Sequence, residues 1–203
     1  METGSFPPPQ TSPVTFTYDL PERITNWKPL VQWLLAIPHW LIVWVLGQVA
    51  NVVAVISWFA IVFTGRMPQG LANFECMYVR YYLRTLSYAG FLREEYPPFG
   101  FTTSPADPGD DRRVRLDFLP ELENRNRLTV GFRIILAIPQ LIFVAALSIA
   151  AWVVVIIAVF AVLFTGQWPA GMRDFVLKVA RCWLRLETYV MLLTDQYPPF
   201  SLG

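Results

Sequence analysis

Two stretches of this chain carry no charged residue at all, one between Leu30 and Gly65 and one between Ile134 and Gly166. Each is mostly apolar over roughly 30 residues or more, longer than the core helix of a soluble domain, which would show a polar face somewhere in that length. The pattern predicts membrane-embedded helix. Behind each stretch stands Gly-x-x-Pro-x-Gly (Gly65, Pro68, Gly70; Gly166, Pro169, Gly171), a hinge where glycine lets the chain turn and proline stops the preceding helix. An amphipathic helix follows. In the second instance Asp174, Lys178, Arg181 and Arg185 share one face, and Phe175, Val179, Trp183, Leu186 and Val190 share the other. Ahead of each apolar stretch lies a short alternating run, Val14, Phe16 and Tyr18 or Val114, Leu116 and Phe118, which predicts two short strands able to pair with each other.

The pattern recurs because the chain is a tandem duplication. Ala36-Ile37-Pro38 returns as Ala137-Ile138-Pro139 and Tyr96-Pro97-Pro98-Phe99 as Tyr197-Pro198-Pro199-Phe200, at a constant offset of 101 (139 − 38, 198 − 97). Roughly a third of the aligned positions are identical, and whatever topology one copy adopts must suit the other.

Length selects the topology expected for the apolar stretches. A continuous helix over residues 30–64 would be about 50 Å long against a hydrocarbon core of about 30 Å, requiring a tilt beyond the usual range. Two short arms with a turn at Gly47-Gln48 (near Asn51), and its equivalent near Ser148, fit that thickness better, with Pro38 and Pro139 kinking the first arms. Basic residues agree: Arg23 and Lys28 precede the first stretch and Arg66 follows it, while Arg125, Arg127 and Arg133 precede the second and Arg173 follows it. Charge bias keeps such flanks in the cytoplasm, so both termini are expected there. The fold class expected is an all-α polytopic membrane protein: a duplicated transmembrane hairpin plus an interfacial amphipathic helix, with minor cytoplasmic β-strands. The organisation expected is a Pro-rich tail at 1–13 and a first repeat at 14–100 with its hairpin at 30–64 and amphipathic helix at 70–92. A polar, mobile linker at 101–113 leads to a second repeat at 114–203, with its hairpin at 131–165 and amphipathic helix at 171–193.

Composition narrows the class further. Of 203 residues 55% are hydrophobic and only 15% charged, with a formal net charge of +1, which argues against nucleic acid as a partner. The polar, proline-rich start lacks the apolar core of a cleavable signal peptide. Cys76 and Cys182 are not repeat-equivalent and are expected as small apolar residues, neither a disulfide nor a metal pair.

The motif set Leu35-Ala36-Ile37-Pro38-His39, Phe63-Thr64-Gly65-Arg66-x-Pro68, Arg80-Tyr81-Tyr82-Leu83-Arg84 and Asp195-Gln196-Tyr197-Pro198-Pro199-Phe200 resembles the DUF4389 family, a domain of unknown function common in actinobacterial membrane proteins. The resemblance spans nearly the whole chain, once per repeat. It implies a bacterial inner-membrane protein, and it implies no activity and no catalytic residues.

Candidate chemistry is sparse. His39 has no carboxylate, second histidine or cysteine within either apolar stretch, so it is expected as a structural polar residue, bonded to its repeat equivalent Gln140. Gln48 and Asn51 are expected as structural in the same way. The sequence offers no phosphate loop or metal-ligand spacing, and no catalytic, cofactor or metal residues are assigned. Arg80, Arg84, Lys178, Arg181 and Arg185 are expected to hold the headgroups of anionic lipids. The function expected is that of a non-catalytic accessory or scaffold protein, a subunit of a larger membrane complex or a homo-oligomer. A small transporter or channel with its site at the repeat interface is the alternative.

Overall fold

The computed structural model describes residues 13–21 and 23–202; the Pro-rich stretch up to residue 12 and the signal-peptide question lie outside them. The elements run β1 (Val14–Tyr18), α1 (Lys28–Leu35), α2 (Ile37–Thr64), α3 (Gln69–Ala89), β2 (Val114–Phe118), α4 (Arg127–Gly131), α5 (Arg133–Thr165) and α6 (Ala170–Val190). Local chemistry accounts for the boundaries. Gly65 and Gly166 adopt left-handed conformations, φ 74° and 69°, and cap α2 and α5 by donating to Ile61 O and Val162 O. Pro68 and Pro169, both extended, precede α3 and α6. Those two helices end in matching turns: Phe91 (φ 58°) and Leu192 (φ 64°) are left-handed, and Leu92 and Leu193 donate back to Ser87 O and Thr188 O.

The duplication is a local twofold in space. β1 and β2 pair antiparallel with Phe16 opposite Leu116, which are equivalent residues, so a twofold axis passes through the sheet there, perpendicular to its plane. Tyr82 and Trp183, also equivalents, stack with centroids 4.6 Å apart on the same axis. At the periphery Ile24 N–H donates to Gly166 O and Arg125 N–H to Gly65 O, at 2.9 and 3.1 Å. The start of α1 therefore meets the end of α5, and the start of α4 meets the end of α2. It follows that α2 and α5 run antiparallel and that both lie across the axis. The strands are exchanged, β1 packing on α6 and β2 on α3.

Three layers result. Val14, Val114, Leu116 and Phe118 turn inward onto Val79, Leu83 and Leu184 of the central α3/α6 layer, whereas Thr15, Thr17, Arg115 and Asp117 are exposed on the outer face of the sheet. On the other side, α2 and α5 each bury only a narrow stripe, including Val43, Gly47, Ala50 and Ile61 in α2 and Ala137, Val144, Ala158 and Val162 in α5.

The expected hairpins do not form. Each apolar stretch is one long rod, α2 of 28 residues and α5 of 33, with α1 joined to α2 through Ala36. The residues that suggested a turn act within the helix instead. A Cβ on Gly47 would lie 3.1 Å from Tyr78 Oη, so glycine admits the tyrosine. Asn51 Nδ2 donates to Gly47 O and Ser148 Oγ to Val144 O, both at 2.8 Å along the helix. Pro38 falls in the first turn of α2, where its missing donor is not needed, and Pro139 is absorbed inside α5. The linker also departs from expectation: Arg80, Arg84 and Arg93 hold it against α3, as detailed below.

Candidate functional site: an apolar face of two antiparallel helices

The most conspicuous surface is the outer side of the α2/α5 layer. Leu41, Trp44, Val52, Phe59 and Phe63 of α2 and Ile134, Ile142, Ile149, Trp152, Phe160 and Phe164 of α5 are each half or more exposed, up to 83% for Phe164. So many large apolar side chains far exceed the roughly 300–600 Å² patch that a soluble monomer leaves open. The segments Lys28–Thr64 and Arg133–Thr165 are long and apolar enough to cross a membrane. In the middle of α2 the exposed polar side chains are Gln48 and Asn51, and the latter is bonded to its own helix.

His39 and Gln140 stand at equivalent positions on the buried stripes, and they do not bond to each other. His39 Nδ1 lies 2.6 Å from Tyr81 Oη, and the ring stacks on Phe99 at 4.4 Å with Tyr96 beside it. Gln140 Nε2 donates to Pro199 O at 3.3 Å. Each therefore faces the Tyr-Pro-Pro-Phe segment of its own repeat. The antiparallel course of α2 and α5 keeps equivalent positions apart, which is why the expected bond across the axis is not made.

The arginines expected at lipid headgroups divide in two. Arg80 and Arg84 are 3% and 2% exposed and are consumed by the linker. Arg84 binds Asp107 at 3.0 Å and Asp110 at 2.7 Å, and Arg80 donates to the carbonyls of Ser104, Pro105, Ala106 and Leu116. Arg93 pairs with Asp111 at 2.6 Å. Asp107, with no exposed side-chain surface, ties the linker to β2 by accepting from Leu116 N–H. Neither Arg80 nor Arg84 is available to lipid, and of the linker acids the side chains of Asp107 and Asp111 are buried while Asp110 stays exposed. In the second repeat Lys178 is exposed, Arg185 is half-buried, and Arg181 turns toward the sheet, donating to Tyr18 Oη at 3.2 Å.

Several organising residues went unrecognised in the sequence. Equivalent clasps close each repeat. Gln32 Nε2 donates to Arg93 O at 2.6 Å, and its counterpart Arg133 donates to Thr194 O at 2.7 Å. Glu94 binds Lys28 and accepts from Thr25 N–H; its counterpart Asp195 binds Arg125 and Arg133 and accepts from Asn126 N–H. Burial opposes ionisation of both acids, yet these donors hold each below its ordinary range. The contacts span more than 60 residues, and only the repeated Glu/Asp before Tyr-Pro-Pro-Phe hinted at them.

Glu75 is the other surprise. It is fully buried on α3, and among the described residues neither of its oxygens has a hydrogen-bond partner. Burial, aided by the charge of Glu187 on α6, pushes its carboxyl up to about 9; burial raises Glu187 to about 7. Glu75 is therefore a neutral acid near pH 7. Cys76 and Cys182 are free and buried.

The chain matches no curated protein and no solved structure. The profile of the domain of unknown function DUF4389 matches it twice, over residues 26–100 and 127–201, the same offset of 101 that relates the two halves of the fold. The chain belongs to the DUF4389 family and carries two fused copies of its domain.

Proposed function

We propose that this protein is a non-catalytic membrane scaffold or accessory subunit that lies within one leaflet, with α2 and α5 side by side in the plane of the membrane. The observation that carries this reading is the disposition of charge about the twofold axis. Both apolar helices run across that axis, and the sheet sits on it, opposite their midpoints. Were the helices to stand along the membrane normal, the exposed Arg115 and Asp117 would lie near the bilayer centre, at about 2.5–3.5 kcal/mol each. With the axis along the normal, the α2/α5 face enters lipid and the charged sheet meets water. Helices lying flat also need not match the bilayer thickness, so their length of about 42–50 Å is no obstacle.

This orientation accounts for the basic flanks without a hairpin. All of them fall on one side, which charge bias makes the cytoplasmic side of the plasma membrane, with both termini there. Arg23, Arg66 and Arg127 are exposed at the ends of the apolar helices and make no ion pair among the described residues. They replace Arg80 and Arg84 as headgroup contacts, at about 1 kcal/mol each near an anionic surface.

Single cysteines at Gln69 and Gln167, in a background with Cys76 and Cys182 replaced by serine, test the orientation. An impermeant thiol reagent should reach both only after cells are permeabilised; labelling of one from outside and the other from inside refutes it. Purification in mild detergent should also bring down a stoichiometric membrane partner. A lone protein that conducts solute in liposomes would favour the transporter alternative.

A further inference from the structure

Between the start of the α1/α2 rod and the middle of α5 lies a cavity of about 540 Å³, roofed by the underside of β1 and walled by α3 and α6. Trp33 and Trp152, 57% and 67% exposed, flank it on the two helices that bear the apolar face, and Trp40 and Trp183 line it farther in. Among the described residues no charged side chain lines it. Three of its few polar groups are already engaged: Ser148 Oγ donates to Val144 O, Ser87 Oγ donates to Arg84 O, and Tyr18 Oη accepts from Arg181. The lining is overwhelmingly apolar, and its size suits a flexible apolar chain.

The duplication explains why the cavity exists. At the corresponding junction of the first repeat, the Tyr78 ring packs against Gly47 and is buried there. The equivalents of Gly47 and Tyr78 are Ser148 and Val179, and both line the cavity. Valine is too short to do what tyrosine does, so the second repeat leaves open the space that the first fills with its own side chain.

We propose that this cavity binds one acyl chain of a membrane lipid, which enters between Trp33 and Trp152 while the headgroup stays outside the protein at the membrane surface. The chain enters from the bilayer that meets the α2/α5 face, so the site rests only on that face touching lipid. Whether the helices lie flat or cross is decided separately by the cysteine labelling.

Val179→Tyr restores the ring that the first repeat uses, and Ala151→Phe fills the cavity from α5. Native mass spectrometry of the full-length protein, washed in mild detergent, should show one retained phospholipid per chain in the wild type and at least a tenfold lower occupancy in each variant. Both variants should still unfold cooperatively; should one fail to fold, the other carries the test. In nanodiscs made with lipids brominated along the chain, quenching of tryptophan fluorescence should drop in parallel. A wild type that holds no lipid, or variants that hold as much as the wild type, overturns the proposal. So does a wild-type dimer that Val179→Tyr dissociates without any lipid being found, which would give the cavity to a second copy.

Discussion

Replacing Glu75 by glutamine should stabilise the protein, and increasingly so as pH rises. The carboxyl has an ordinary value of 4.5 and is raised to about 9 in the fold, chiefly by burial and then by Glu187. Between those values the folded chain keeps a proton that the unfolded chain gives up. The cost grows by 1.36 kcal/mol for each pH unit above 4.5, reaching about 4 kcal/mol at pH 7.5, and is complete above pH 9. Glutamine is neutral throughout and nearly isosteric. Thermal unfolding in mild detergent, followed by circular dichroism from pH 5 to 9, should show curves that nearly meet at pH 5 and diverge upward. At pH 7.5 a gain of about 4 kcal/mol corresponds to roughly 8–16 °C for a chain of this size. Two parallel curves, or a variant less stable than the wild type at pH 7.5, would mean that Glu75 is ionised and paired, and would refute the reasoning.

Acid should act in the opposite sense on the clasps. Glu94 and Asp195 are held below their ordinary 4.5 and 3.8, so their contribution is complete above those values and is lost as pH falls through the lower folded ones. The wild-type stability profile should therefore peak near pH 5 and fall on both sides, and Asp195→Asn should flatten the acid limb. Asp107→Ala removes the fully buried carboxylate that Arg80 and Arg84 share, leaving Arg84 with Asp110 and Asp111, and should cost about 3 kcal/mol. The same variant should free the linker, seen as faster tryptic cleavage at Arg112 and Arg113.

The repeat was legible from motifs returning at a constant offset of 101. The strands and the amphipathic helices with their Gly-x-x-Pro-x-Gly entry were legible because each depends on spacing within a dozen residues, although the helices form the central layer of the fold and not the membrane interface expected of them. The hairpin expectation failed for a different reason. Comparing rod length with bilayer thickness assumes that the rod stands along the normal, and nothing local records that α2 and α5 lie across a twofold axis. Gly47 illustrates the ambiguity: the same residue serves a turn or a close approach, and only Tyr78, 31 residues away, decides between them. Arg80 and Arg84 were misassigned because a basic helical face looks the same whether it meets headgroups or acids. Asp107, Asp110 and Asp111 follow in the sequence opposite three arginines, a balance of charge that could have signalled pairing. The Glu75 site left only a faint trace, a single acid interrupting the apolar side of α3.

Each strand rests on the helix of the other half, and each half closes the far end of its neighbour's long rod through Ile24 and Arg125. A single half on its own would leave those partners vacant, and two unlinked halves could supply them to each other only by pairing as a strand-exchanged dimer. Such a dimer is bound to strict equality: any change appears on both sides of the axis. Joining the copies through residues 101–113 lifted that constraint. Arg80 can then pin residues 101–113 while its equivalent Arg181 donates to Tyr18, and a bulky ring can stand at position 78 where position 179 carries valine.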